Sequence, residues 1–220
     1  MSDLITLEVV DADGAIRDHA DALGDTRMDF FKKAGVGGAS LLAGGVLMSG
    51  LPSLASGATK RSKKNDVKIL QFALTLEYLE AAFYNEAVAG GALSGQVLDA
   101  AKIVQKHENT HVKTLKSILK TAAPKKPKFD FQGTTTDQTK FLQTAQVLED
   151  TGVKAYSGQA PNILQRPVLA AAASILTVEA RHASRFRSLN GANFAPAAFD
   201  KPATKAQILR AVNATGFIKS

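Results

Sequence analysis

Glu108 and His111 stand three residues apart in this chain, as do Glu179 and His182, so on a helix each pair puts a carboxylate and an imidazole one turn apart on the same face. Both pairs interrupt apolar stripes at three- and four-residue steps. The first stripe reads Val97, Ala101, Val104, Glu108, His111, Leu115, Ile118, and the second reads Val168, Ala172, Ile175, Glu179, His182, Phe186, Leu189. Polar groups placed at buried positions need partners. A lone Glu-x-x-His is a common accident of helical surfaces, and two of them on matched stripes are not.

The same spacing logic joins two more pairs. Glu77 and Tyr84 are seven residues apart, as are Glu149 and Tyr156, and the first half maps onto the second at offsets of 72 residues for these pairs and 71 for the Glu-His pairs. Each half therefore reads Glu-x6-Tyr on one helix and Glu-x-x-His on the next. Four carboxylates and two neutral imidazoles balance the charge of two divalent first-row ions, and carboxylate with imidazole is the donor set such ions accept. Without a cation, four clustered carboxylates in a core repel and face a desolvation cost of several kcal/mol each, on general grounds, unless protonated. The expected ligands are Glu77 and Glu149 as terminal carboxylates, Glu108 and Glu179 as bridges, and His111 and His182 with one ion each. Tyr84 and Tyr156 are expected to donate hydrogen bonds to the ligands or to act as one-electron donors.

Other residues compete for these roles. Glu80 rivals Glu77, since it also lies one turn from Tyr84, but the residues around Glu77 at three and four steps are the more apolar. His107 falls on a lateral face with Ala100, Ile103, Thr110 and Thr114, which reads as a boundary histidine. Gly152, inside a helical pattern, reads either as a close packing contact or as a local bulge. His19 lies in an acidic prefix and has no chemical reading.

The elements that must position these residues are helices. The pattern predicts helices over about 66–89, from a cap at Ser94 to about 121, over 138–157 and 167–190, with a short one over 204–212 and no convincing strand. The short connection after Gly90-Gly91 makes the first two helices antiparallel neighbours, and the long link 124–137 suits a crossover along a bundle. The expected architecture is all-α: a four-helix bundle over 58–190 with a crossover between helices 2 and 3, a segment 1–57, and a tail 191–220 carrying the short helix.

At 220 residues with 45% apolar content the chain is globular, and with no cysteine it has no disulfide, thiolate metal site or iron–sulfur cluster. The net charge of +7 is uneven: residues 1–55 hold 8 acidic and 4 basic side chains, leaving 12 acidic and 23 basic from Ser56 on. Lys102, Lys106, Lys113, Lys116 and Lys120 lie mostly away from the apolar stripe, and no nucleic-acid motif is present, so a solvated face is the reading and no specific nucleic-acid partner is expected. Thr26-Arg27-Met28-Asp29-Phe30-Phe31-Lys32-Lys33, followed by an uncharged run to Thr59, resembles a twin-arginine export signal, with Met28 in the place of the second arginine and an acidic stretch ahead of it. Export as a removed signal ranks first, membrane association through 34–55 second, and a packed segment third. The implied location is the periplasm, the cell envelope or outside the cell, and the cytoplasm if the signal is unused.

The motifs Glu77-x6-Tyr84, Glu108-x-x-His111, Glu149-x6-Tyr156 and Glu179-x-x-His182 resemble the ligand pattern of the ferritin-like superfamily, including bacterioferritin and rubrerythrin. Leu76 to Tyr84, Leu148 to Tyr156 and Pro196-Ala197-Ala198-Phe199-Asp200 resemble a bacterial ferritin-like-domain family, sometimes labelled desiccation-related, whose members often carry export signals. The resemblance implies a ferritin-like bundle with a dimetal site, two iron ions or alternatively manganese, reacting with dioxygen or peroxide in iron handling or stress. The bundle contains no methionine to serve as the axial haem ligand of bacterioferritin, and no cysteine for a rubredoxin module. No haem is therefore expected. The alternatives are a dimanganese catalase-like enzyme and a non-catalytic envelope stress or interaction protein on the same scaffold. Homo-oligomerisation is left open.

Overall fold

The computed structural model describes residues 61–219. The export-signal and membrane-association readings of the N-terminal segment lie outside the described residues. Among the described residues, no helix is long and apolar enough to cross a membrane.

Helix α1 spans Lys63–Ala89 and starts three residues ahead of the expected position because Ser62, in extended conformation, caps it by accepting from the Asn65 backbone N–H at 3.0 Å. Helix α2 spans Gly95–Leu119. Its cap residue is Ser94, as expected, but Ser94 makes no side-chain cap bond; its N–H and hydroxyl instead donate to Gln138 Oε1 at 2.8 and 3.2 Å. Helix α3 spans Gln138–Gln159 behind an Asp137 cap, α4 spans Arg166–Leu189 with Pro167 in its first turn, and α5 spans Lys205–Thr215 with a reciprocal capping box between Thr204 and Gln207.

Hydrogen bonds between helices fix their directions. Gln71, early in α1, donates to the carbonyl of Ala122 just past α2, so α1 and α2 are antiparallel. The Ser94–Gln138 contact joins the starts of α2 and α3, which are parallel. Arg185 near the end of α4 donates to Gln96 at the start of α2, making those two antiparallel. The result is the up-down, down-up bundle that two hairpins joined by a crossover must form.

The fully buried Asp66 fastens the starts of α1 and α4. Its carboxylate accepts from the backbone N–H groups of Leu164 and Gln165, both at 2.9 Å, and from the Gln165 side chain at 3.0 Å. Burial works to raise its pKa, but these donors outweigh it and hold the group below the usual carboxylate range.

Helix α1 is apolar on two faces, not one. Leu70, Ala73 and Leu74 turn towards the bundle interior, while Phe72, Leu76, Leu79 and Phe83 join a second cluster with Phe131 from the crossover and Ile208, Val212 and Phe217 from the tail. The tail is thus part of the core. Lys128–Phe129 in the crossover (β1) pairs antiparallel with Ile218–Lys219 (β2), extended by an Asp130 N–H to Phe217 carbonyl bond at 2.9 Å. This small ladder corrects the strand-free expectation: two residues per strand carry no periodicity that a sequence could display.

The tail reaches α5 by crossing α3 at Gly158. The Ala203 N–H donates to the Lys154 carbonyl at 3.1 Å, and a Cβ built on Gly158 would sit 1.9 Å from the Ala203 carbonyl oxygen. No side chain fits between the two backbones. Gly158→Ala should lift the tail from α3 and lower unfolding free energy by about 1–3 kcal/mol, the range for overpacked sites, measured by urea denaturation of the full chain.

Candidate metal centre

The four long helices converge on one fully or almost fully buried cluster: α1 contributes Glu77, α2 Glu108 and His111, α3 Glu149, and α4 Glu179 and His182. They form two overlapping sets, Glu77, Glu108, His111, Glu179 and Glu108, Glu149, Glu179, His182. Within each set one donor atom per residue lies within 4.8 Å of the others. Glu108 and Glu179 belong to both.

The contact geometry converges on points rather than on pairs. His111 Nδ1 stands 3.2 Å from each of three oxygens, Glu77 Oε2, Glu108 Oε2 and Glu179 Oε1. His182 Nδ1 stands 3.1 Å from Glu108 Oε1 and from Glu149 Oε2. One ring nitrogen carries at most one proton, so it cannot satisfy three oxygens. Accordingly Glu77 Oε2, Glu108 Oε1 and both oxygens of Glu179 are buried without a hydrogen-bond partner among the described residues. Buried groups left this way cost about 1–3 kcal/mol each, more when charged. Cations at the two convergence points would satisfy all four, and the donor types suit iron or manganese.

The electrostatics carry the same message. Burial and then the neighbouring carboxylate charges push Glu108 and Glu179 well above the usual range. Burial opposes protonation of His111, but the carboxylates of Glu108, Glu179 and Glu77 gathered around its Nδ1 override it and raise that imidazole to about 12. His182 is raised as well, chiefly by Glu149 working against burial. Glu77 is also subject to burial, but its partner His111 brings it below its ordinary value.

The tyrosines cross over. Tyr156 on α3 donates to Glu77 Oε1 on α1 at 2.5 Å, and Tyr84 on α1 donates to Glu149 Oε1 on α3. Seven residues of helix carry each phenol some 10 Å from the glutamate of its own motif. Because α1 and α3 run antiparallel, that same distance brings each phenol level with the other half's glutamate. Burial, then the adjacent carboxylate, raises both phenol pKa values well above the ordinary one, so both remain hydrogen-bond donors.

Three residues play parts the sequence did not display. Glu80 is buried at 3% exposure beside the cluster and raised well above its usual range by burial and then by the charges of Glu179 and Glu149. Both it and Glu77 are therefore inside. Gly152 is a close-approach position in a continuous helix: a Cβ there would lie 3.0 Å from Glu179 Oε2 and 3.3 Å from Glu80 Oε1. His107, exposed as its lateral face implies, reaches back so that its Nδ1 lies 2.9 Å from His182 Nε2, the rings nearly coplanar at 16°. A stripe analysis assigns faces, and it does not register a long side chain bending from the edge of one helix to the next.

A family model of the ferritin-like domain matches residues 65–192, more than half of the chain and all four long helices but for the first two residues of α1. The chain belongs to the ferritin-like domain family. The matched stretch contains all the cluster residues and stops short of α5 and β2, so the sheath over the outer face of α1 is built from residues beyond the ferritin-like match. No curated protein sequence matches the chain.

Ligands to a metal must be deprotonated at the donor atom. His111 is raised to about 12 and so keeps its proton at neutral pH, and Glu108, Glu179 and His182 are shifted in the same upward direction, so a metal loading here would compete with protons. Calorimetric titration of the metal-free chain with a divalent ion, repeated in buffers of different ionisation enthalpy, should show at least about one proton released per ion and an affinity that climbs as pH rises from about 5.5 to 7.5. Buffer-independent heats would contradict this charge state.

Proposed function

We propose that this ferritin-like chain is a dimetal carboxylate protein that binds two iron ions as Fe(II) and reacts with dioxygen or peroxide. The observation that supports the reading is the pair of overlapping donor sets sharing Glu108 and Glu179, with four buried carboxylate oxygens that have no hydrogen-bond partner among the described residues. In this reading Glu77 and Glu149 would each hold one ion, Glu108 and Glu179 would be available to both, and His111 and His182 would each present Nδ1 to one of them.

Two adjacent Fe(II) ions would supply one electron each, which with two protons is what reduction of hydrogen peroxide to two waters requires. The chain's own contribution is positional. Tyr156 and Tyr84 hold one oxygen of Glu77 and of Glu149, leaving the second oxygen of each carboxylate facing its histidine. Apolar walls that include Leu74, Leu115, Ile175 and Phe186 limit water at the cluster and strengthen every charge interaction inside it. The oxygen-rich donor set also suits manganese, so a dimanganese catalase-like protein is the second reading.

The test is metal content. The full chain, incubated anaerobically with Fe(II) and freed of excess, should retain two irons and develop near-ultraviolet ferric absorption when air or peroxide is admitted. Glu108→Ala removes a shared carboxylate and should abolish loading of the pair. An unchanged iron content in that variant would overturn the site assignment. Tight manganese binding with oxygen release from peroxide would select the manganese reading, and a loaded pair inert to both oxidants would leave a structural metal.

A further inference from the structure

The two halves of the bundle match residue for residue at the candidate ligands, and two of the positions at which they differ bear directly on those ligands. At the 72-residue offset that maps Glu77 onto Glu149, Glu80 maps onto Gly152. At the 71-residue offset that maps His111 onto His182, His107 maps onto Val178. A perfect repeat would give two equal metal positions. The departures remove that equality, and both fall at the same position.

Glu80 lies on α1 between Glu77 and Tyr84, one turn along the helix towards the phenol that bonds Glu149. Its carboxylate makes no hydrogen bond or ion pair among the described residues, although it is only 3% exposed. Across the cluster, α3 presents Gly152. A Cβ at Gly152 would crowd both Glu80 Oε1 and Glu179 Oε2, so the missing side chain is what admits these two carboxylates to the space they occupy. Glu179 turns Oε1 to His111 and Oε2 to this space, which places Glu80 with the oxygen that His111 does not engage. His107 meanwhile ties the outer nitrogen of His182, whereas the described structure gives His111 no such tether.

We propose that the two metal positions are unequal, and that Glu80 is a fifth carboxylate ligand serving the one formed by Glu108, Glu149, Glu179 and His182, in the room that Gly152 leaves. This rests on the dimetal reading above and adds to it a specific asymmetry. Five carboxylates carry one negative charge more than two divalent ions neutralise, so the His182 position is the one suited to the more highly charged ion. His107 acts there as a positioning residue, holding the His182 ring with Nδ1 turned inward.

Co(II) is the probe, because its visible absorption strengthens as its coordination number falls. The metal-free full chain is titrated anaerobically with Co(II), followed by calorimetry and by the visible spectrum. The wild type should bind in two resolved steps. In Glu80→Gln one step should weaken about tenfold or more, with a stronger visible band for that ion, while the other step stays within about threefold. Glu80→Asp keeps the charge but retracts it by one methylene, and should behave like Glu80→Gln if Glu80 coordinates. Far-ultraviolet circular dichroism and thermal melting of both variants establish that the bundle is intact.

Two unchanged steps and an unchanged spectrum in Glu80→Gln would overturn the inference while leaving the dimetal reading in place. Wild-type behaviour of Glu80→Asp would also overturn it, assigning Glu80 a role through charge alone. A wild-type chain that takes up no pair of Co(II) ions would instead overturn the dimetal reading, and this inference with it.

Discussion

Negative charge buried in an apolar core is the constraint on which the rest of this protein depends. Four glutamates at the bundle centre are fully buried, and a fifth, Glu80, is nearly so. Two unit charges 4 Å apart interact by about 4 kcal/mol even at an effective dielectric of 20, so five carboxylates together are untenable as bare anions. The surroundings show each available remedy. Two imidazoles sit among the carboxylates, two phenols donate one hydrogen bond apiece, and burial and mutual repulsion shift Glu108 and Glu179 towards their neutral forms. What remains is a set of unsatisfied oxygens aimed at two points. The fold tolerates the cluster because it is braced around it, at Asp66, at the Arg187–Asp150 ion pair and in the aromatic packing of Phe83, Phe141 and Phe186 around Tyr84.

The antiparallel arrangement of α1 and α3 gives the repeat its mechanical meaning. Each half carries a glutamate and a phenol, and neither half can join its own pair. Only when the hairpins dock do the two bonds form, one in each direction. The crossover and tail then cover the outer face of α1 with Phe131, Ile208, Val212 and Phe217. Helix α1 is therefore enclosed on nearly every side, which is why its sequence looks less amphipathic than those of α2 and α4.

Much of this was legible in the sequence because the chemistry and the helical period coincide. Glu108, His111, Glu179 and His182 fall on stripes whose neighbours are apolar, and the repeat at matching offsets supplies Glu77 and Glu149. The bundle, its crossover and its helix boundaries follow from the same periodicity and from glycine and proline punctuation. Three features lay outside its reach. The exchange of phenols between halves depends on relative helix direction at the level of single side chains. Glu80 competes with Glu77 on a helix whose faces are nearly all apolar, so a stripe argument must choose one where the core accepts both. The tail reads as polar and proline-rich because the residues it packs, chiefly Ala203, Ile208, Val212, Phe217 and Ile218, are too few and too scattered to show a period. Ile118 errs in the other direction: it continues the stripe in sequence, yet α2 is ending there and the buried residue is Leu119.

The crossed phenols also determine what this protein looks like to ultraviolet light. The chain has no tryptophan and three tyrosines, so Tyr78, Tyr84 and Tyr156 are its emitting side chains. Two of the three are hydrogen-bonded to carboxylates of the cluster, one from each half. Two of the three tyrosine chromophores thus lie within contact of the candidate metal centre. Any change in how Glu77 or Glu149 is engaged is transmitted through one hydrogen bond to a fluorophore, so the protein contains its own optical probe for occupancy, with no label or engineered tryptophan required.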